Sequence, residues 1–128
     1  MDVSPLIAAD RQVIDGYGAE SFRVSGIVHT GAIIVFPNAT VAWTTATPDA
    51  ITRASLAPVI DRGGIEILLI GCGKRMRPLP RDLREALRAA GIVADAMDTG
   101  AACRTYNVLL AEDRHVAAAL LPAGATGC

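Results

Sequence analysis

The sequence is poor in aromatic residues, in net charge and in long apolar runs, and each shortage excludes a class of protein. Aromatic residues make up 4% of the 128 positions, so a core must be built from Ala, Val, Ile and Leu. The formal net charge of −1 creates no overall field that would attract nucleic acid or an anionic membrane surface. No apolar stretch approaches the roughly 20 residues of a membrane-spanning helix, so we expect no stable membrane insertion.

Cysteine is also scarce, and its positions argue against two kinds of structural site. Cys72, Cys103 and Cys128 form an odd set, and no pair has the spacing of metal ligands. A disulfide framework and a zinc site are therefore disfavoured, and we expect neither a metal nor a cofactor. The first residues lack the basic segment and apolar run of a signal peptide. These features favour a cytoplasmic protein, and the 52% apolar content favours a globular one.

Glycine and proline divide the first half of the chain into short segments. Residues 1–20 are expected to form an irregular N-terminal arm, because Gly16 and Gly18 interrupt any regular element. One α/β domain is predicted over 21–122, followed by a C-terminal tail over 123–128. β-branched and aromatic residues in the first half predict antiparallel strands near 22–29, 31–36 and 40–44.

The second half alternates helical and strand patterns. A helix is predicted from a cap at Thr47 or Asp49 to Gly63–Gly64, with a kink or break at Pro58. The apolar run 65–71 is typical of a strand buried on both faces. The remaining predicted elements are a helix opening at Pro80, a strand at 92–97, a helix at 100–111 and a strand at 115–121. This βαβαβ order predicts right-handed crossovers, a parallel sheet segment and a three-layer α/β fold.

The segment GCGKRMR (71–77) is the first candidate binding site. It follows a predicted parallel strand, at the sheet end where α/β proteins usually bind ligands. Amides of Gly71 and Gly73 could face an anion, with Lys74, Arg75 or Arg104 as counter-charges. The pattern matches neither a P-loop nor a dinucleotide-binding fingerprint. A tight turn followed by a solvated basic loop is the alternative, and we favour it because a short glycine motif is weak.

The segment DTGAACRTYN (98–107) is the second candidate, since it also follows a strand. Asp98 or Thr99 is expected to cap the helix. Cys103 lies near the helix start, where the helix dipole and Arg104 would lower the thiol pKa and favour a nucleophile. A catalytic base is missing from the pattern, because His115 opens the last strand at the other end of the sheet. We therefore favour the alternative, in which Cys103 is a small buried apolar residue.

Two neighbours of Cys103 carry polar groups on the same predicted helix. Tyr106 lies on the apolar face, so its ring is expected in the core with its hydroxyl bonded to a partner. Asn107 is unusual in the middle of a helix, where its side chain competes with the backbone. We expect it to hydrogen-bond a neighbouring loop such as 71–77, or to act on a ligand bound there.

In their order, several motifs resemble the Mth-like domain family over roughly residues 20–121. The matching pieces are IGCG (70–73), LP (79–80), GI (91–92), MDTGAACRTYN (97–107), Glu112, Arg114 and AAALL (117–121), with GAIIVFP and the Trp43 strand upstream. That family includes the mitochondrial complex I assembly factor 3 group and the adipogenesis-associated Mth-like proteins. The resemblance implies a three-layer α/β fold with a mixed central sheet, and no settled enzymatic activity. The sequence departs from it in the heavy charge of KRMR (74–77).

Three hypotheses about function follow from these features. The first, which we favour, is a non-catalytic interaction or assembly factor. The resemblance to the Mth-like domain family implies this function, because the mitochondrial members of that family assemble complex I through protein contacts. Its partners would be proteins, respiratory complex subunits among them, in a bacterial homologue without a mitochondrial leader. The second is a small anionic-ligand-binding protein or enzyme that uses loops 71–77 and 98–107. The third is an oligomeric structural module, a homo-oligomer joined through an exposed apolar edge in residues 22–44.

Overall fold

The computed structural model describes residues 11–45 and 47–124 of the chain. The elements are β1 (Ile14–Tyr17), β2 (Ser21–Val24), β3 (Ile27–Thr30), β4 (Ile33–Phe36), β5 (Ala39–Ala42), a 3-10 turn (Pro48–Ala50), α1 (Ala57–Arg62), β6 (Ile67–Gly71), α2 (Arg81–Ala89), β7 (Val93–Met97), α3 (Thr99–Ala111) and β8 (Val116–Leu120). Cys128, residues 1–10 of the predicted arm and residues 125–128 of the predicted tail lie outside the described residues.

The central sheet is mixed and has the strand order β5–β4–β8–β6–β7. Strand β6 pairs in parallel with both β7 and β8, and α2 and α3 form the crossovers between these strands. Strand β4 pairs antiparallel with β5 on one side and with β8 on the other. The predicted βαβαβ half and the antiparallel first half are therefore confirmed.

Two further layers cover the faces of the central sheet. One face packs against α1 and α2, in a core that includes Leu56, Val59, Leu68, Ile70, Leu83 and Leu87. The other face packs against α3 and the antiparallel β1–β2–β3 sheet, in a core that includes Phe22, Val24, Leu69, Tyr106, Leu110 and Ala118. The central strand β8 is buried along its whole length. This arrangement confirms the predicted three-layer α/β class.

Two predictions for the first half of the chain are wrong. Residues 14–17 of the predicted irregular arm form β1, which pairs with β2, and the pairing register shifts between Ile14 and Gly16. Gly16 thus marks an irregularity within a strand rather than a break. The strand predicted at 22–29 is two strands, β2 and β3, joined by Ser25 and Gly26. Both turn residues have positive φ, as a two-residue hairpin turn of type I′ requires.

The helix predicted between Thr47 and Gly63 is also wrong in extent. The chain forms a 3-10 turn at Pro48–Ala50, and α1 begins only at Ala57. Pro58 lies in the first turn of α1, where its missing N–H costs no helical hydrogen bond, so it starts the helix instead of kinking it. Gly63 ends the helix at φ +73°, as predicted. Within 11–45 and 47–124, no helix is long and apolar enough to cross a membrane.

Candidate functional site

The two predicted loops do come together at the carboxyl end of the central sheet. Gly71, the last residue of β6, pairs in register with Met97, the last residue of β7, and α3 starts two residues later. The Gly73 N–H donates a hydrogen bond to Thr99 Oγ1 at 2.9 Å, and the Thr99 N–H donates to the Gly73 carbonyl at 2.9 Å. The Thr99 hydroxyl in turn donates to the Leu121 carbonyl at 2.6 Å. One buried threonine therefore joins the segments that follow β6, β7 and β8.

Gly71 is a glycine because the start of α3 and β8 both lie against it. A Cβ atom at this position would lie 2.9 Å from Leu120 Cδ2 and 3.1 Å from Thr99 Cα. Contacts this short are not tolerated in a packed interior. The physical role of Gly71 is therefore close packing between β6, β8 and α3.

The predicted orientation of the Gly73 amide toward an anion is wrong. Gly73 is buried with φ +92°, and its N–H is engaged with the Thr99 hydroxyl. Lys74 and Arg75 follow on the exposed surface, and the Arg77 guanidinium donates to Asp49 Oδ1 at 2.7 Å. The geometry thus fits the tight turn followed by a solvated basic loop that the sequence favours.

Cys103 is buried on the face of α3 that packs against the central sheet, with 3% of its surface exposed. Burial raises the pKa of its thiol from 9.0 to about 12, and this effect outweighs the lowering by the Arg104 charge. The prediction of a lowered thiol pKa is wrong, and the buried apolar interpretation is the one that fits. Burial likewise raises the pKa of the Cys72 thiol.

Neither histidine is placed to serve Cys103 as a base. His115 precedes β8 at the amino end of the parallel strands, and its Nδ1 lies 3.6 Å from Glu66 Oε1. His29 lies on β3 opposite Phe22. Within the described residues, no hydrogen bond involves the Cys103 thiol, and no group of three or more His, Cys, Asp or Glu side chains is placed to hold a metal ion.

Asp98 and Tyr106 take the positions that the sequence predicts. The Asp98 carboxylate accepts a hydrogen bond from the Ala101 N–H at 2.9 Å and so caps α3. The Tyr106 ring is fully buried, and its hydroxyl donates to the Gln12 carbonyl at 2.9 Å. Burial raises the pKa of this phenol. Asp98 thus stabilises the start of α3, and Tyr106 joins α3 to the segment before β1.

Asn107 contacts β1 and not loop 71–77, so that expectation is wrong. Its Oδ1 accepts a hydrogen bond from the Ile14 N–H at 3.0 Å, and its Nδ2 donates to the Ile14 carbonyl at 2.8 Å. The side-chain amide thus pairs with one residue of a strand as a neighbouring strand would. An asparagine in the middle of a helix therefore indicates that its side chain bonds a backbone outside the helix. The sequence does not indicate the partner, because Ile14 lies in the segment predicted to be irregular.

Tyr17 contacts both Arg104 and Gly100 and is not among the residues predicted from the sequence. The Arg104 guanidinium is exposed and donates to the Tyr17 hydroxyl at 3.3 Å. The same hydroxyl covers the first turn of α3, because a Cβ atom on Gly100 would lie 2.5 Å from it. No signal in the sequence marks Tyr17, since it lies in the predicted arm. The predicted ligand residues therefore face different partners: Arg104 faces Tyr17, Asn107 faces Ile14, and Lys74 and Arg75 face solvent.

A small cavity of about 130 Å³ lies beside Cys72, between the loop after β6 and the 3-10 turn. Its lining includes Cys72, Asp49, Arg77 and the prolines at 48, 78 and 80. This volume is below the roughly 300–1,000 Å³ of typical small-molecule sites. The cavity is thus too small for a cofactor.

The chain is similar to proteins of known sequence over nearly the whole described domain. A family model described as a protein of unknown function (DUF498/DUF598) matches residues 14–121, from the first residue of β1 to the residue that follows β8. An uncharacterised protein of Rhodobacter capsulatus is 44% identical over 109 residues, which are 85% of this chain and 83% of that protein. The human NADH dehydrogenase [ubiquinone] 1 alpha subcomplex assembly factor 3 is 33% identical over 116 residues, covering 90% of this chain and 63% of the human protein.

Solved structures share the fold. A Bordetella pertussis protein described as a Mth938-like domain superposes with a TM-score of 0.77 at 28% identity, over 98% of this chain and 94% of that one. A Bartonella henselae protein described as an outer membrane protein superposes with a TM-score of 0.82 at 42% identity, over 89% of this chain and 97% of that one. The resemblance to the Mth-like domain family is confirmed by these matches.

Proposed function

The chain belongs to the DUF498/DUF598 family of proteins of unknown function, and we propose that it is a non-catalytic interaction factor that assists the assembly of a respiratory complex. Support comes from relatives named complex I assembly factor 3, such as the human protein at 33% identity. The chain spans 63% of that relative, so the proposal concerns what the shared domain does. Its partners would be protein subunits bound through the surface of the domain.

One observation carries the non-catalytic part of the proposal: the reactive side chains of 98–107 are engaged inside the fold. Thr99 joins three strand ends, Asp98 caps α3, and Asn107 pairs with β1. Tyr106 donates to the backbone of residue 12. A catalytic constellation would instead present such groups to a substrate in an open pocket.

The environment of Cys103 supports the same conclusion. With a pKa of about 12, only about one thiol in 10⁵ is ionised at neutral pH, and the thiolate is the form that attacks. Activation by a base would require a histidine or carboxylate within hydrogen-bond reach. Of the two histidines, His115 lies beside Glu66 and His29 lies on β3.

Deletion of the gene in its native cell tests the proposed function. We expect the amount of fully assembled complex I to fall on a native gel, and plasmid-borne wild type to restore it. A Cys103→Ala variant should restore it equally well, because the thiol is not a nucleophile. Unchanged complex I after deletion would refute the assembly function, whereas a folded Cys103→Ala protein that fails to restore it would refute the non-catalytic part.

A small anionic ligand at loop 71–77 is the second proposal. The exposed pair Lys74 and Arg75, next to the left-handed turn at Gly73, supports it. Thermal melts with and without phosphate or a nucleotide test it, because a ligand of the folded state must raise the melting temperature. A rise that a Lys74→Ala, Arg75→Ala double variant abolishes would favour this function, and equal melting temperatures would reject it.

A further inference from the structure

Three arginines form a stripe along the exposed side of α2. Arg81, Arg84 and Arg88 are all exposed, and their spacing of three and four residues places them on one side of the helix. With Glu85 they line an open surface groove of about 380 Å³. Arg81 lies 3.6 Å from Glu85 Oε2, whereas Arg84 and Arg88 have no carboxylate of the described residues within 4 Å. Like charges at this spacing destabilise a helix, so helix stability does not explain the stripe.

A second groove continues from Arg84 to the edge of the central sheet. It has a volume of about 210 Å³ and is lined by Met76, Pro78, Leu79, Arg84, Ala94, Asp95 and Ala96. Met76 is 54% exposed, which is unusual for a large apolar side chain next to a cluster of charges. The volume suits one or two side chains of a polypeptide and is small for a cofactor.

Strand β7 forms the wall of this second groove and is an edge strand. It ends the strand order of the central sheet and pairs with β6. The Val93 N–H donates to the Glu66 carbonyl, and the Met97 carbonyl accepts from the Cys72 N–H, so these residues turn their backbone groups toward β6. Because the direction alternates along a strand, the N–H and C=O groups of Ala94 and Ala96 face the open side. An edge of this kind is a template for another strand.

We infer that the groove between α2 and the β7 edge binds an extended acidic segment of a partner protein, which adds to β7 as a further strand. Backbone bonds would form at Ala94 and Ala96, and an apolar side chain would lie between Met76 and Leu79. Carboxylates of the segment would meet the arginine stripe, since guanidinium groups pair with carboxylates in a two-pronged geometry. This inference names the partner-binding surface and therefore rests on the proposed function.

The surroundings of the stripe favour a polypeptide over a nucleic acid or an anionic membrane. Phosphate recognition by arginines requires neither an open strand edge nor an apolar slot one side chain wide. Both features lie directly beside Arg84. The chain as a whole carries a net charge of −1, so the positive stripe is a local feature that selects a local acidic partner.

The test is a titration of the ¹⁵N-labelled full chain with an acetylated and amidated peptide of the repeat Val-Thr-Glu-Thr, which presents Val and Glu in turn on one face of an extended strand. We expect the largest amide shifts at residues 93–97, and a Kd at least about tenfold weaker for the Arg84→Glu, Arg88→Glu variant. The matched control, Arg23→Glu with Arg53→Glu, changes the net charge equally at two other exposed positions and should bind like wild type. The neutral peptide of the repeat Val-Thr-Gln-Thr should bind more weakly than the acidic one.

Each contrary result overturns a definite part of the inference. Absence of shifts at 93–97 with the acidic peptide would reject the surface, and equal weakening in both double variants would reject the arginine stripe. Binding of oligothymidylate or of phosphatidylglycerol vesicles at this stripe, without peptide binding, would assign it to a different class of partner. Complex I subunits that bind the tagged wild type and the Arg84→Glu, Arg88→Glu variant equally would reject the surface while leaving the proposed function standing.

Discussion

Gly73 and Thr99 are joined by two hydrogen bonds of 2.9 Å, one in each direction between the loop after β6 and the start of α3. The Thr99 side chain is fully buried, and its hydroxyl also donates to the Leu121 carbonyl. A buried hydroxyl that accepts one bond and donates another is satisfied without any ligand. The polar cluster at this end of the sheet is therefore a junction of the fold.

Replacing Thr99 by Val keeps the shape of the side chain and removes the hydroxyl. The Gly73 N–H and the Leu121 carbonyl then lose a buried partner, so we expect a loss of about 2–4 kcal/mol in the free energy of unfolding. Urea denaturation measures this loss. Thr99→Ser should recover much of it, and Thr105→Val, a half-buried position on the same helix, serves as the control. Equal stability of Thr99→Val and wild type would contradict the role of the junction.

Alanine should lower the stability of the protein at Gly71 and raise it at Gly100 once Tyr17 is removed, although both sites are crowded. At Gly71 the new methyl meets the Thr99 backbone at 3.1 Å and the buried Leu120 side chain at 2.9 Å, so we expect a loss of about 1–3 kcal/mol. At Gly100 it meets the partly exposed Tyr17 hydroxyl, which can move aside. In a Tyr17→Ala background, Gly100→Ala should stabilise by up to about 1 kcal/mol because alanine favours helix. Thermal melts compare Gly71→Ala with wild type, and Tyr17→Ala, Gly100→Ala with Tyr17→Ala alone. A lower melting temperature after Gly100→Ala is added to the Tyr17→Ala protein would contradict this explanation.

The raised pKa of Cys103 predicts a loss of stability at alkaline pH. The unfolded thiol ionises near its ordinary pKa of 9.0, whereas the folded one stays protonated to about 12. The folded state therefore binds more protons between these values, and its stability falls as the pH rises through this window. Urea unfolding at pH 8, 9 and 10 under reducing conditions gives the free energy of unfolding at each pH. Its fall with rising pH should be up to about 1.4 kcal/mol per pH unit smaller for Cys103→Ala than for wild type. Identical slopes for the variant and wild type would refute the raised pKa.

Loss of the Asn107 amide should loosen β1 selectively. Asn107→Ala leaves the Ile14 N–H and carbonyl without their side-chain partner, at a cost of about 1–3 kcal/mol. Hydrogen exchange followed by mass spectrometry should then become faster in residues 14–17 and stay unchanged in the central sheet. The neighbouring exposed Val108→Ala is the matched control. Unchanged exchange in β1 would show that Asn107 does not hold this strand.

The elements with a strong local pattern were predictable from the sequence. Three features depend only on residues that are adjacent in the sequence. They are the apolar run that contains β6, the amphipathic spacing of α2 and the cap of α3 by Asp98. The hairpin at Ser25–Gly26 also had a local cause, a dipeptide that accepts positive φ, but the β-branched run around it hides the turn.

The interpretation of the site depended on contacts that the sequence does not show. Whether the Gly73 amide faces an anion depends on Thr99, which lies 26 residues away. The pKa of Cys103 depends on how deeply its face of α3 is buried against the central sheet, and this burial outweighs the lowering by Arg104. The partner of Asn107 lies 93 residues earlier, on a strand whose glycine suggested irregular chain.

Affinity purification of the tagged chain from its native cell, with mass spectrometry against a tag-only control, tests the central claim most directly. The account predicts that subunits of respiratory complex I or of its assembly intermediates are enriched, and that Cys103→Ala enriches them to the same extent. Absence of any such subunit above the control would contradict the account.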